Sequence, residues 1–213
     1  MSSIDTVTLG VADLAAAERF YVDAFDLRPA DPVSGLRLRA SQEPTTGFRG
    51  FTLSLLVAQP ADADALIGTA VAAGATTRVP AARSMWGYGG VVQAPDGTIF
   101  KVATSTRKNT GPVTRRFDEL VLLLGVADVA ASRRCYVEHG FTVAKSFGRM
   151  YVEFAGGAGA VKLALYRRRA LAKVAGVSPD GTGSHRIALG GAVEPFTDPD
   201  GFGWESTSIT ATP

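Results

Sequence analysis

Cysteine and histidine are nearly missing from this chain of 213 residues: Cys135 stands alone, and the only histidines are His139 and His185. A lone cysteine excludes an intramolecular disulfide framework and any zinc site of the paired-cysteine kind. Excess charge is missing too. The net charge of +2 sets up no field that would draw nucleic acid or an anionic membrane. The single basic run, Arg167-Arg168-Arg169, reads as a solvated strand end. No apolar stretch approaches the roughly 20 residues of a membrane-spanning helix. The first residues lack the basic start and apolar run of a secretory signal, which points to a cytoplasmic protein. No Ser-His-Asp order, phosphate loop or dinucleotide fingerprint appears. What is present is ordinary for a globular chain, 46% hydrophobic and 20% charged residues, with length for one large domain or two of about 100 residues each.

Internal repetition organises the rest. Gly10-Val11-Ala12-Asp13 returns as Gly125-Val126-Ala127-Asp128. Each copy follows an apolar strand pattern and precedes a helical pattern that ends in Phe20-Tyr21 or its variant Cys135-Tyr136. Further on, Ala94-Pro95-Asp96-Gly97 returns as Asp198-Pro199-Asp200-Gly201. The repeats divide the chain into an early half, residues 1–106, a linker over 107–115, and a late half, residues 116–213. Asp13 is placed to cap a helix reaching Phe25, with Ala17, Phe20, Tyr21 and Ala24 on one face. Strands are expected near 4–11, 27–31, 36–41, 51–57, 89–93 and 98–104, and Asp62 is read as the cap of a second helix that Gly74 ends. In the late half, strands are expected near 119–126, 142–147, 150–155, 160–166 and 185–189, with helices over 129–138 and 168–176. The second long helix of the early half has no counterpart there.

Two strand-helix-strand-strand units per half, the Gly-Val-Ala-Asp turn and the Pro-Asp-Gly turn together resemble the glyoxalase / bleomycin-resistance / extradiol-dioxygenase (vicinal oxygen chelate) superfamily. The resemblance implies an α+β fold. Repeated βαβββ units would form curled, cup-shaped mixed sheets with helices outside, as a pseudo-two-fold fused dimer. It also implies that each cup joins the first unit of one half to the second unit of the other. Family metal positions then fall on Thr6, His185 (or Arg186) and Glu205 in one cup, and on Glu119 or Val121, Thr52 and Lys101 in the other. The first set offers two ligands and a weak hydroxyl. The second puts an ammonium where a carboxylate belongs, and that charge repels a cation.

The expectation is therefore a metal-independent binder of a drug or aromatic metabolite, with no cofactor, no nucleic acid and no membrane as partner, acting as a monomeric fused pseudo-dimer or a homodimer. The rival is a lyase, isomerase or dioxygenase that uses one divalent metal ion in one degenerate cup. The expected ligand-binding residues are Thr6, Trp86, Tyr88, His185 and Glu205, and His185 and Glu205 lead the candidates for any acid-base catalysis. Trp86 and Tyr88 stand among Gly87, Gly89 and Gly90, a loop that could wall a flat ligand. Each residue also has a plainer reading. His185 could be a hydrogen-bonded strand residue, Glu205 a carboxylate paired with a cation, and Lys101 a partner of Glu119. Arg37 and Arg39 could face an anion or water. Phe100 and Trp204 should point into the core, Cys135 should be inert, and His139 should sit at a helix C-terminus.

Overall fold

A computed structural model of the chain describes residues 2–29, 31, 34–156 and 161–207. The early half runs β1 (Ile4–Val11), α1 (Leu14–Phe25), β2 (Leu36–Ala40), β3 (Thr45–Gly47), β4 (Phe51–Leu56), α2 (Pro60–Ala72), β5 (Thr76–Ser84), β6 (Gly87–Gln93) and β7 (Ile99–Thr104). The late half runs β8 (Glu119–Val126), α3 (Val129–Glu138), β9 (Val143–Phe147), β10 (Tyr151–Phe154), β11 (Val161–Arg167), α4 (Arg168–Ala175), β12 (Gly181–Gly183), β13 (Ile187–Gly191), β14 (Phe196–Thr197) and β15 (Gly203–Ser206).

The repeated Gly-Val-Ala-Asp is one structure used twice. Asp13 has φ −129° and ψ 106° and accepts from the Ala16 N–H. Asp128 has φ −129° and ψ 103° and accepts from the Ala130 and Ala131 N–H groups. In both, an extended N-cap residue satisfies donors that the first helical turn leaves free.

Each large sheet draws on both halves. One has eight strands in the order β5-β6-β7-β4-β8-β11-β10-β9, the other five in the order β14-β15-β13-β1-β2. The seams are antiparallel: β4 on β8, from Phe51 opposite Leu124 to Leu56 opposite Glu119, and β1 on β13. The first unit of each half is thus closed by the second unit of the other. β3 and β12 form a separate two-stranded ribbon.

Several details differ from the sequence reading, which did not expect β3, β5, β12 or β14. Residues 27–29 form no strand, because Asp26 ends α1 in the left-handed region at φ 51° and its N–H closes back on the helix. The second helix begins at Pro60, about one turn earlier than read, where proline's missing N–H costs nothing. Asp62 is buried inside that helix and accepts from the Thr114 N–H at 2.6 Å. This bond, the Thr110 and Gly111 N–H groups donating to Gln59 Oε1, and Gln59 Nε2 donating to the Gly111 and Pro112 carbonyls tie the 107–115 segment to the start of α2. The five-stranded sheet is the smaller because β1 is joined by β2 alone, where β8 is joined by β9, β10 and β11, and β13 is joined by β14 and β15, where β4 is joined by β5, β6 and β7.

Aromatic side chains fix the helices to the sheets. On α1 the buried Tyr21 donates to Asp96 of the Pro-Asp-Gly turn at 2.5 Å. On α3 the matching Tyr136 donates to Asp198 at 3.0 Å. Phe100 packs on Tyr21 and Phe25, and Trp204 on Tyr136, Phe141 and Phe196. Both lie in the core, as strand alternation requires.

Candidate functional site

The eight-stranded sheet encloses a sizeable hollow. Its concave face carries a cavity of about 810 Å³. Thr52 and Ser54 of β4, Ile99 and Lys101 of β7, Val91 of β6 and Leu123 of β8 form its floor. Tyr166 of β11, with Tyr151 and Glu153 of β10, forms one wall. Leu171, Val174 and Ala175 of α4 form the other, with Leu171 and Ala175 packed on Val91 and Ile99. Around the mouth stand Trp86, Phe147 and Met150, all solvent-exposed.

The polar groups of this cavity fall into two sets. At one end the chain is self-satisfied. Tyr151 donates to Glu153 at 2.9 Å, and Lys145 pairs with the same carboxylate at 3.5 Å. Burial and then the Glu153 bond push the Tyr151 phenol well up, so it stays neutral. At the other end the polar groups make no bonds among the described residues. Ser54 and Lys101 are direct neighbours across the parallel β4–β7 pair, and Thr52 lies one step along the same face. Thr52 is 3% and Ser54 4% exposed. Among the described residues, neither hydroxyl nor the Lys101 ammonium has a hydrogen-bond or ion-pair partner. The pairing of Lys101 with Glu119 considered from sequence does not form, because Glu119 pairs with Lys162 at 2.6 Å. Burial alone lowers the Lys101 pKa below the usual lysine range.

The five-stranded sheet holds the other expected residues. Thr6 lies opposite Gly190, and Gly190 opposite Glu205, so these positions form one row. Glu205 is held by an arginine. It accepts two bonds from Arg39, at 2.8 and 2.9 Å, on the surface, and Arg39 holds its carboxyl below the usual range. The plainer reading of Glu205, as a paired carboxylate, is the one realised.

His185 sits outside that row. The Gly125 N–H bonds to Gly50 O as the Gly10 N–H bonds to Arg186 O. Ser54 faces Val121 as Gly190 faces Thr6. Thr52 therefore corresponds to Ala188, and His185 corresponds to Arg49, which corrects the match made from sequence. Arg186 adopts φ 49°, a left-handed step that sequence spacing cannot reveal. The His185 ring stacks on Phe202 at 4.2 Å, with Nδ1 2.5 Å from Arg49 O and Nε2 3.0 Å from Asp200 O. It joins two loops.

The glycine-aromatic segment is a hairpin. Trp86, 85% exposed, stands at its tip and reaches the cavity mouth. Tyr88 lies on the other face of β6 and donates to Asp64 of α2 at 2.7 Å, away from the cavity. The glycines serve the sheet and not a ligand: a Cβ at Gly87 or Gly89 would strike the backbone of β7. Cys135 lies beside His139, with burial raising its thiol pKa, and His139 stacks on Phe196 at 3.7 Å. Sequence reading passed over Ser54, Tyr151, Glu153 and Tyr166. Their alternation along β4, β10 and β11 was visible, but which face curls inward was not.

A divalent metal fits neither cup. Among the described residues, no three His, Cys, Asp or Glu side chains gather as a ligand set. The larger cup presents Val121, Thr52 and Lys101 at the family positions, and the smaller presents Thr6, Ala188 and an arginine-paired Glu205. Neither supplies the three donors that a catalytic zinc or non-haem iron requires.

No protein-family model matches the chain, and no curated protein matches it. Solved structures do. Glyoxalase I from Zea mays is 15% identical, with a TM-score of 0.62 over 97% of this chain and 92% of that one. Its V278E mutant gives a TM-score of 0.61 at 16% identity over the same shares. A putative dioxygenase from Bacillus subtilis is 12% identical, with a TM-score of 0.54 over 89% of this chain and 69% of that one. At such identity the likeness speaks for architecture. The chain has a glyoxalase-like fold, with two halves fused in one polypeptide.

Proposed function

We propose that this chain is a metal-independent small-molecule binding protein of the bleomycin-resistance type, which holds a drug or aromatic metabolite in the cup of its eight-stranded sheet. One observation carries the reading: the cup keeps a cavity of about 810 Å³ walled by Val91, Ile99, Leu123, Tyr166 and Leu171, with Lys101 at the family's carboxylate position. That volume lies within the range of small-molecule pockets, roughly 300–1,000 Å³. Tyr166, Tyr151 and Phe147 offer faces for offset or edge-on contact with an aromatic ring. Trp86 and Met150 at the mouth can close over it. A single chain completes the cup, so a monomer suffices. A metal-dependent lyase, isomerase or dioxygenase is not favoured, because an ammonium stands where the metal's carboxylate would.

The test uses N-phenyl-1-naphthylamine, a neutral probe that fluoresces in apolar surroundings. Titration should give saturable emission at a single site, and Ile99→Trp, which fills the cavity, should abolish it while circular dichroism is unchanged. Protein purified without chelator should hold only traces of metal. Near-stoichiometric iron, zinc, nickel or manganese would overturn the reading, as would a probe signal indifferent to Ile99→Trp.

A further inference from the structure

We infer that the molecule this cup accepts bears an acidic group, a carboxylate or sulfonate on an apolar ring system, and that Lys101, Ser54 and Thr52 receive it. The inference rests on reading the cavity as a binding site and adds the chemistry of its occupant.

Charge balance is the first ground. The charged residues lining the cavity are Lys101, Lys145 and Glu153. Lys145 and Glu153 neutralise each other, so the uncompensated charge is the Lys101 ammonium. Glu119, the other carboxylate on this face, is held by Lys162. The second ground is free donors. The hydroxyls of Thr52 and Ser54, residues only 3% and 4% exposed, make no hydrogen bond among the described residues and line the same cavity as the ammonium. Ser54 is the direct cross-strand neighbour of Lys101, and directly opposed side chains lie within reach of one small group. An oxyanion accepts from all three at once. A cation would meet a like charge, and a neutral ring would leave all three unmet. The third ground is what lies beside them: Val91, Ile99, Leu123 and Leu171 make no polar bond and ask for an apolar body. Water excluded by that body would strengthen the ammonium–anion attraction.

The experiment pairs two probes with nearly the same aromatic body. N-phenyl-1-naphthylamine is neutral, and 1-anilinonaphthalene-8-sulfonate adds an anion. The wild type should bind the sulfonate more tightly. Lys101→Met should weaken the sulfonate by about tenfold or more, the loss of a charged hydrogen bond, and change the neutral probe by less than about twofold. Ser54→Ala should weaken the sulfonate by a smaller factor. If Lys101→Met disturbs the circular dichroism, Lys101→Gln takes its place. A wild type that binds both probes equally, or the neutral one better, overturns the acid-binding inference while the cavity reading stands. So does an equal loss of both probes, or of neither, in the lysine variants. Failure of both probes to bind the wild type removes the cavity reading, and this inference with it.

Discussion

Lys101 shows how one residue can cost stability and still define a site. Its half-buried ammonium has no counter-charge among the described residues, so in the ligand-free protein Lys101→Met should raise Tm near neutral pH, by roughly 2–4 °C for each kcal/mol gained. The sign follows from linkage. The folded-state pKa of Lys101 is lowered below its unfolded value. Between the two, the unfolded chain binds more protons, and wild-type stability rises with pH. The advantage of the methionine variant should therefore shrink as pH climbs toward the ordinary lysine range, which thermal melts across alkaline buffers would show. Glu205 should behave oppositely to a site residue. Its pair with Arg39 is about half exposed on both sides, and such pairs contribute only about 0–1 kcal/mol. Glu205→Gln should hardly move Tm and leave N-phenyl-1-naphthylamine affinity unchanged. A marked loss of affinity would return the smaller cup to consideration. His185→Ala should lower Tm through its two carbonyl contacts and its stacking on Phe202, again without an effect on the probe.

Among the elements, the helices are held by caps and tyrosines. Tyr136 donates to a carboxylate, Asp198, whose pKa burial raises despite its backbone hydrogen bonds. Removing the phenol leaves that buried group short of a donor. Tyr136→Phe should cost about 1–3 kcal/mol in urea unfolding, and Tyr21→Phe should cost a similar amount through Asp96. Asp128 accepts from two N–H groups at the start of α3, which lowers its pKa. Its stabilising contribution is present above the unfolded-state carboxyl range and is lost as pH falls through the lowered value. Asp128→Ala should thus destabilise the protein at neutral pH and make little difference in strong acid. Helix α4 has a separate role. Leu171 and Ala175 pack on the sheet's concave face and narrow the cup to the space that remains.

At the scale of the whole molecule, neither half owns a sheet. β4 and β8 share a six-position antiparallel seam, and β1 and β13 share the other. Residues 1–106 expressed alone would leave the β1 and β4 seam edges unpaired, and such edges seek partners. That fragment should elute as a dimer or larger species, never as a folded monomer, in size-exclusion chromatography. The intact chain should unfold in one transition by far- and near-ultraviolet circular dichroism alike. Two separated transitions would mean that the seams couple the halves less than their register implies.

The sequence alone determined the parts that depend on local chemistry. The Gly-Val-Ala-Asp and Pro-Asp-Gly repeats marked equivalent turns, because N-caps and tight turns are set by a few adjacent residues. Those repeats carried the two-half organisation, while the α+β class and the exchange of units between halves came from the family resemblance that the repeats support. The displaced carboxylate was legible too, since Lys101 stands at a fixed distance from Gly97. Only the tertiary structure decided which cup is a container. That depended on where α4 lies, on how many strands each sheet collects, and on the left-handed step at Arg186 that carries His185 out of its expected row. Strand alternation gives two faces and no label for the inner one. The partnerless set of Thr52, Ser54 and Lys101 exists only once β4 lies beside β7 and the sheet curls over them.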